Sequence, residues 1–525
     1  MDTTLVAPIA TSVVLVAVVT LTWRVVNWVW LRPKKLEKWL REQGLHGNPY
    51  RLLKLGDLTE FFIMTKEAKP RPISLSDDIA PHVLPYHHHI INKYGKKSFM
   101  WLGPTPVINI VEPELVKEVM SNHRVFQKPH TEAAKMITLG LVTYEGEKWA
   151  KHRKIINPAF HLEKLKVIFI LDEYTYIPLY EQMIVQYAYQ SLENMLPAIY
   201  QCCRGMMDKW EEIVSAKGSC EVDVCPYVEE LSAEVIARTT LGNSSEEGRK
   251  IFELQKEKID STLQLMLLIH IPGWRFLPTK ANKRMKQIRI EEQTLIKRIV
   301  DKREKEMKMG EVSDDDDLLR VLLESNLKEI REHGNNKSHG MSIEEVMEEC
   351  KEFFFAGADT TKNLLVWTMV LLSKHPNWQA CAREEVTMIL HEVLRLYPPV
   401  TFIYRATIQT TKLGNMTLPA GVHLSLPTVL LHHDKETWGE DAEEFKPDRF
   451  SGGVYRAIKS QVSFLPFSWG PRICIGQNFA MIQVKMALAI ILQHFSFELS
   501  PSYIHAPFPT LSLQPQFAYD VLLAG

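Results

Sequence analysis

One short segment near the C-terminus constrains this chain more than any other. Residues 467–476 read FSWGPRICIG. The glycines and the proline predict a tight turn that points backbone N–H groups at the sulfur of Cys474. A helix predicted from about Gln477 to Gln493 places its positive end near the same sulfur, which favours the ionised thiol. The segment therefore predicts a cysteine thiolate that is held in one fixed position.

A thiolate held in this way suits the axial ligand of a haem iron. Such a ligand must be ionised, shielded from water and tuned by N–H donors. Phe467 is placed to pack over the ligand side of the haem, and Arg472 is placed to reach a propionate. The alternative, a buried structural cysteine in a Gly-Pro turn, does not account for the whole pattern. We therefore predict Cys474 as the ligand of the iron of haem b.

The same segment carries a family resemblance. Its pattern FxxGxRxCxG is the haem-ligand signature of cytochrome P-450 enzymes, and the chain matches it in full. The resemblance implies the cytochrome P-450 fold, which is mainly α with a small β region. It also implies a monooxygenase that inserts one atom of O2 into a small apolar substrate. The electrons would come from NADPH through an NADPH-cytochrome reductase.

A long helix is predicted to carry the proton chemistry. Residues 342–345 read SIEE, a capping box that starts a helix, and His375-Pro376 ends it. Within this helix residues 356–361 read AGADTT, which resembles the family pattern (A/G)Gx(D/E)T. Small residues there leave room for dioxygen beside the haem.

The predicted catalytic residues lie in this motif. The hydroxyl of Thr360 can hydrogen-bond dioxygen, and the carboxylate of Asp359 can relay protons from solvent. An ordinary amphipathic helix with a solvated aspartate is the alternative for the motif taken alone.

Further side chains are predicted to bind haem or to support its ligand loop. Trp149 and Arg153 lie one helical turn apart and offer an indole N–H and a guanidinium on one face, as in the family's WxxxR. Arg405, which follows Pro398-Pro399, is another propionate candidate. The predicted cofactor-binding residues are Trp149, Arg153, Ala356, Gly357, Arg405, Phe467, Arg472 and Cys474.

One ion cluster is predicted to be structural. Glu392 and Arg395 lie one turn apart and share a helix face. The family's ExxR helix has this form, and its second arginine comes from a PxRF-like segment, here FKPDRF at residues 445–450. The resemblance implies that Glu392, Arg395 and Arg449 form a buried ion cluster that fixes the ligand loop.

The N-terminus predicts a membrane anchor. Residues 3–23 carry no charged side chain, and an apolar run longer than about 18 residues can span a bilayer. Basic residues follow it, so the positive-inside rule places the rest of the chain in the cytosol. We expect a single-pass signal-anchor and basic flank at residues 1–32 and a monooxygenase domain at residues 33–525, at the endoplasmic reticulum membrane. A cleaved signal peptide is the alternative, but a basic region before the run is missing.

The composition limits the classes of function. The net charge is −1, which gives no electrostatic basis for nucleic-acid binding. Neither a repeat nor a long linker divides the 525 residues, so we expect one large catalytic domain. Lys151, Lys154 and Lys485 are candidates for a basic face that an acidic reductase binds.

The resemblance extends over nearly the whole chain. Residues 157–161, 246–252 and 322–326 look like the plant 72 clan of cytochromes P-450, which is similar to terpenoid oxidases. Two segments depart from the family. About residues 167–194 form an atypical insertion, and the chain is shortened just before Thr387. Both departures are typical of a retained intron and a skipped exon.

Two alternatives therefore remain for the function. One is an inactive or mis-spliced haem-binding isoform. The other is a lyase or isomerase that uses a preformed peroxide, although such an enzyme needs no proton relay at Asp359 and Thr360. The identity of the substrate is not predicted; its pocket is expected to draw on residues 126–140 and on the long helix.

Overall fold

The structure, a computed structural model, describes residues 3–52, 56–137, 139–160, 195–215, 219–242, 245–265, 273–274, 277–309, 317–382 and 386–524. The predicted insertion at 167–194 lies outside these residues, as does part of the shortened segment, residues 383–385. The chain divides into two compact units. Unit 1 comprises Met1–Ala68, Leu84–Pro129 and Phe402–Pro427, and unit 2 comprises Lys69–Val83, His130–Thr401 and Thr428–Gly525.

Helices make up most of the described chain. In chain order they are α1 (Thr3–Val26), α2 (Arg32–Glu42), α3 (Leu58–Ala68), α4 (Ala80–Val83), α5 (Pro85–Tyr94), α6 (Pro113–Ser121), α7 (Glu132–Ile137), α8 (Gly146–Ile156), α9 (Met195–Ser215), α10 (Cys225–Leu241), α11 (Ser245–Gln264), α12 (Lys280–Met309), α13 (Leu318–Glu332), α14 (Ile343–Lys374), α15 (Pro376–Ala382), α16 (Thr387–Leu396), α17 (Thr428–His432), α18 (Lys435–Trp438), α19 (Val454–Ala457) and α20 (Gln477–His494).

Shorter helical turns join some of these helices. A π-helical segment links α1 to α2, and 3-10 turns follow α8 and α13 and precede α19 and α20. Their bounds are Asn27–Leu31, Asn157–Phe160, Lys337–His339, Pro447–Phe450 and Gly470–Arg472.

The strands are short and form small sheets. They are β1 (His46–Gly47), β2 (Ser98–Leu102), β3 (Thr105–Asn109), β4 (Phe126–Gln127), β5 (Ser219–Asp223), β6 (Ile403–Thr407), β7 (Thr411–Leu413), β8 (Met416–Leu418), β9 (His423–Leu426), β10 (Ser496–Leu499), β11 (Pro507–Pro509), β12 (Leu513–Pro515) and β13 (Asp520–Ala524). A mainly α protein with a small β region, as predicted, is the observed class.

Unit 1 contains the larger sheet. Its strand order is β1-β2-β3-β9-β6-β4, and β7 pairs with β8 separately. The hairpin of β2 and β3 pairs Phe99 with Ile108 and Met100 with Val107. Met100 and Val107 pack against Tyr86 and other side chains of α5 in a buried cluster. Apolar residues on this face of the hairpin thus hold α5 against the sheet.

The N-terminal helix also belongs to unit 1. It is the one described helix long and apolar enough to cross a membrane. The side chains of residues 12–26 are exposed, and the helix continues through the π-helical segment into α2. Trp39 of α2 donates its indole N–H to the carbonyl of Thr417 at 2.9 Å, which ties α2 to the rest of unit 1.

Unit 2 is built around α14. The Ser342 hydroxyl accepts the N–H of Glu345 and the Glu345 carboxylate accepts the N–H of Ser342, which confirms the predicted capping box. The helix ends at Lys374, also as predicted. Helices α10, α12, α16 and α20 pack on it. Most of its side chains are therefore buried, which fixes its axis in the unit.

The helix predicted after Cys474 is also confirmed. It was predicted from about Gln477 to Gln493 and is observed as α20. Helix α13 begins at an acidic N-cap: the Asp317 carboxylate accepts the N–H of Arg320 at 2.8 Å.

Candidate functional site

The cysteine segment forms a closed loop before α20. The N–H of Cys474 donates to the carbonyl of Phe467 at 2.9 Å, so the two ends of the loop are joined. Ser468 and Gly470 have φ values of 67° and 75°, which the reversal of the chain requires. α20 begins three residues after Cys474. The loop therefore has the tight turn and the following helix that the sequence predicted.

The side chain of Arg472 is directed away from solvent. Its guanidinium donates to the carbonyls of Leu141 and Tyr144 at 3.3 and 2.6 Å. It forms an ion pair with Glu145 and lies 4.2 Å from the centre of the Trp149 ring. Burial lowers the pKa of this arginine, and Glu145 opposes that shift. The guanidinium of Arg472 is thus a buried cation within the cysteine loop.

Helix α8 brings the two other predicted donors to the same place. Trp149 is buried, and Arg153 lies one turn further along the same face. Arg153 donates from Nη1 to the carbonyl of Ile473 at 2.9 Å. Burial lowers the pKa of Arg153, and the neighbouring Cys474 opposes the shift. Trp149, Arg153, Arg472 and Cys474 are therefore brought together from separate parts of the sequence.

Burial is incomplete at Cys474 and in the middle of α14. Cys474 is exposed, although the neighbouring Arg472 and Phe479 are buried. On α14, burial is interrupted at residues 355–357 and 359–360, while residues on both sides are buried. An accessible sulfur next to two guanidiniums and an indole N–H fits a haem with its propionates.

Helix α10 connects the cysteine helix to the motif on α14. Ser232 of α10 donates its hydroxyl to the carbonyl of Ala358 at 2.8 Å. Gln483 of α20 donates to the same hydroxyl oxygen at 3.3 Å. Both hydrogen bonds are buried. They therefore fix the position of the α14 motif relative to α20, the helix that follows Cys474.

Two residues of the α14 motif have polar contacts. Thr360 donates its hydroxyl to the carbonyl of Ala356 at 2.6 Å, as mid-helix threonines often do. Asp359 pairs with Lys362 at 3.0 Å and accepts a hydrogen bond from Ser512. Lys362 also lies 3.4 Å from Glu229. Asp359 is thus joined to a network of ionisable groups.

Gly357 has a packing role that the sequence did not reveal. A Cβ built on it would overlap the Cδ1 of Ile236 on α10. The missing side chain at this position therefore makes room for Ile236, which lets α10 and α14 approach closely. Ala356, one residue earlier on the half-exposed stretch, remains the candidate small residue beside the predicted haem.

We expect Gly357→Ala to lower the free energy of unfolding by about 1–3 kcal/mol, because the added methyl group overpacks the contact with Ile236. Thermal and denaturant unfolding of the full chain measure this. The double variant Gly357→Ala with Ile236→Val removes the overlapping Cδ1 and should recover at least half of the loss. A double variant no more stable than the single one would contradict this account.

The segment at residues 140–145 was not predicted as part of the site. The N–H of Leu141 donates to Glu349 at 3.0 Å and the N–H of Val142 donates to Glu352 at 2.8 Å. Both carboxylates belong to α14 and are buried. Glu349 also lies 2.6 Å from Nδ1 of His152 on α8. The segment therefore connects α14 to Arg472, which binds its carbonyl groups.

We expect Glu349→Ala to lower the free energy of unfolding by about 2–3 kcal/mol and to speed haem loss, because it leaves buried polar groups without a partner. Haem transfer to excess apomyoglobin and thermal unfolding measure the two effects. Glu344→Ala, an exposed position in the first turn of the same helix, is the matched control. Equal haem-loss rates in the two variants would show that the 140–145 segment does not depend on Glu349.

The predicted structural ion cluster is present. Arg395 donates to both oxygens of Glu392 at 2.8 Å, and both side chains are fully buried. Arg449 lies 3.4 Å from Glu392, and the N–H of Lys446 donates to it at 2.9 Å. Arg395 also donates to the carbonyls of His432, Ala442 and Glu444. The helix after the shortened segment thus makes the predicted contacts.

Arg405, a predicted propionate-binding residue, is not among the residues of unit 2 that surround Cys474. Arg405 lies on β6 of unit 1, where it is buried and donates to the carbonyl of Tyr404 at 2.8 Å. Among the predicted reductase-binding lysines, Lys151 donates to the carbonyl of Gly340, and Lys154 pairs with Glu329. These contacts do not test the predicted roles, which stay predictions.

Comparison with known proteins gives one consistent result. The model of the family described as Cytochrome P450 matches residues 80–184 and 179–519. "Cytochrome P450 CYP72A219" of Panax ginseng is 52% identical over 530 residues, covering 97% of each chain. "7-deoxyloganic acid hydroxylase" of Catharanthus roseus is 48% identical over 540 residues and covers 98% of each. "Secologanin synthase 1" of the same plant is 48% identical over 523 residues, covering 95% of this chain and 94% of its own.

A solved structure supports the fold. "Retinoic acid bound cyanobacterial CYP120A1" superimposes with a TM-score of 0.68 at 20% identity, over 89% of this chain and 96% of that one. The fold and the family match define an oxidoreductase of the monooxygenase class, in which a cysteine thiolate ligates haem. The chain belongs to the cytochrome P450 family, and its relatives place it with the plant 72 clan.

Proposed function

We propose that this chain holds haem b through Cys474 and inserts one oxygen atom of O2 into an apolar terpenoid. The observation that carries the proposal is the meeting of Cys474 with Trp149, Arg153 and Arg472. These residues come from α8 and from the loop before α20, and Arg153 and Trp149 contact that loop. When bound, the haem supplies the activation of dioxygen.

The cations of the site suit the two propionates of a haem. Arg153 already donates to the backbone of the ligand loop, and Arg472 is held by Glu145 and by two carbonyls. A propionate next to Arg472 would add a charge-assisted hydrogen bond to a guanidinium that is already in place. The indole N–H of Trp149 offers a further donor, and Phe467 would pack on the side of the ligand.

Asp359 is proposed to move protons and Thr360 to receive them. The ionisable groups beyond Asp359 continue to the surface: Lys362, then Glu229, then Lys256 at 2.5 Å, whose side chain is 57% exposed. Burial disfavours the charged form of Lys362, yet Asp359 and Glu229 raise its pKa overall. Lys362 therefore keeps its charge beside Asp359 and connects it to Glu229 in a chain of hydrogen-bonded groups that reaches the surface.

The substrate class follows from the relatives. Two of the relatives are named as a hydroxylase of 7-deoxyloganic acid and a synthase of secologanin, at 48% identity over nearly the full chain. We propose that the substrate of the present chain is likewise a terpenoid and that it is apolar. The remaining assignments follow the family: electrons from NADPH through an NADPH-cytochrome reductase, and an anchor at the endoplasmic reticulum membrane, which α1 suits by its length and composition.

The test is oxygen insertion by the full chain. The haem-loaded protein, reconstituted with a plant NADPH-cytochrome reductase in lipid, is given 7-deoxyloganic acid and a panel of iridoid and triterpenoid substrates under ¹⁸O2. We expect a hydroxylated product that carries one ¹⁸O atom and depends on both NADPH and reductase. Turnover of a lipid hydroperoxide without NADPH would favour a lyase or isomerase, and a chain that binds haem without any turnover would favour an inactive isoform.

A further inference from the structure

A cavity lies in unit 2, beside the first turns of α14. Its volume is about 210 Å³, and its described lining contains none of the residues that surround Cys474. The walls come from α7, α11, α12 and α14 and from Trp274. Three features of the lining suit this cavity to a ligand: its charge, a buried hydrogen-bond donor and an apolar wall.

The first feature is charge. Among the described residues of the lining, five are basic and two are acidic. The two acids are already neutralised inside the protein: Glu292 lies 2.8 Å from Lys258, and Glu348 lies 2.5 Å from Lys351. This leaves Lys286 and Arg289 as cations of the described lining that the two acids do not neutralise, and they attract an anion.

Two of the remaining cations are suited to a ligand. Lys286 and Arg289 lie one turn apart on the face of α12 that lines the cavity, and both are exposed. Neither makes an ion pair within the described part of the chain. Their charged groups can turn toward an anion without breaking an existing contact, and a guanidinium binds a carboxylate with two parallel hydrogen bonds.

The second feature is an unused buried donor. Trp274 is 5% exposed, and its indole Nε1–H meets no acceptor in the described residues. A buried N–H without an acceptor is costly, and most such groups in folded proteins are satisfied. Because Trp274 lines the cavity, an acceptor atom of a ligand there would satisfy this donor.

The third feature is the apolar part of the wall. Met136, Ile137, Leu139 and Met285 line the same cavity. An inorganic anion would leave these side chains in contact with water. A ligand with an apolar body and one acidic group would cover them and also meet the cations.

We infer that this cavity is a binding site for a small apolar acid, whose carboxylate meets Lys286 and Arg289 and whose body covers the apolar wall. The site is separate from the predicted haem. Lys351 precedes Thr360 by nine residues on α14, so the two lie on the order of 13 Å apart along the helix axis and on opposite faces of the helix.

The experiment measures binding on the full, haem-loaded chain in lipid. The probe is adamantane-1-carboxylate, a compact apolar acid, and its neutral match is adamantane-1-carboxamide. Thermal unfolding and haem absorption are followed as each is titrated. We expect the acid to raise the unfolding midpoint at concentrations at least about tenfold below those of the amide, because a charge-assisted bond is worth about that factor.

The variants locate the binding site. Lys286→Gln with Arg289→Gln should weaken acid binding about tenfold or more and leave amide binding unchanged. Trp274→Phe should weaken the binding of both acid and amide about threefold, because each offers an acceptor oxygen. The matched control is Lys297→Gln with Lys305→Gln, two exposed basic residues of α12 outside the cavity lining. It should bind the acid like the unmodified chain.

Several results would overturn the inference: an acid that binds no better than its amide, unchanged acid affinity in the cavity variants, or inorganic phosphate that stabilises as well as the apolar acid. Acid binding that changes the haem absorption equally in all variants would place the acid at the haem alone. Since the midpoint needs no turnover, failure here leaves the oxygen-insertion test standing. Failure of oxygen insertion, in turn, leaves this binding result standing.

Discussion

Replacement of Glu392 by glutamine is expected to lower the free energy of unfolding of the full chain by about 3–5 kcal/mol, because it leaves the buried guanidinium of Arg395 without its counter-charge. Arg449 loses one of its two carboxylate partners and keeps the other, Asp441. Glu392 binds Arg395 through both oxygens and lies 3.4 Å from Arg449. It also accepts the N–H of Lys446, so the substitution loosens the segment that follows as well. Thermal and denaturant unfolding, with the haem content of the purified protein, measure the effect.

The control for this prediction is Glu440→Gln. Glu440 is an exposed carboxylate close in sequence to the cluster, and its loss should change the free energy of unfolding by less than about 0.5 kcal/mol. If Glu392→Gln unfolded at the same denaturant concentration as Glu440→Gln, the ion cluster would not be what holds this part of unit 2 together.

Replacement of Cys474 by serine is expected to lower reductase-dependent product formation by more than about 100-fold, because even the outer-shell partners of metal ligands are worth roughly 10–100-fold. The hydroxyl of serine is not ionised near neutral pH and cannot donate electron density to the iron as a thiolate does. The rate of product formation with NADPH and reductase is the measurement, with the ¹⁸O label as the marker of oxygen insertion.

Cys381→Ser is the matched control for the cysteine. Cys381 is exposed and lies on α15, away in sequence from every residue of the site. Its substitution should leave product formation within about twofold of the unmodified chain, as expected for a surface change. Equal losses in the two serine variants would mean that general thiol chemistry, and not the ligand loop, limits activity.

The sequence predicted those parts of the site that depend on local spacing. The turn around Cys474, the capping box at Ser342 and the ion cluster of Glu392 follow from residues a few positions apart, or from two short segments with a family pattern. In each case the geometry of a turn or of one helical turn determines the contact. Such contacts need no knowledge of the tertiary fold.

The contacts that the sequence did not predict join distant segments. Glu349 and Glu352 bind the 140–145 segment across about 210 residues of sequence, and Gly357 makes room for Ile236 on another helix. A carboxylate on a helix usually faces water, so nothing in its spacing indicates burial. One feature of the sequence could have indicated that Glu349 and Glu352 are buried. They lie one turn apart, just before the AGADTT motif, on a helix whose other residues are mainly apolar.

The carbon monoxide difference spectrum of the reduced full chain tests most directly whether Cys474 ligates the haem iron. The geometry around the cysteine loop predicts a thiolate-type absorption band for the unmodified chain. It also predicts that Cys474→Ser lacks this band, while Cys381→Ser keeps it. A thiolate-type band that persists in Cys474→Ser would contradict the assignment of the ligand.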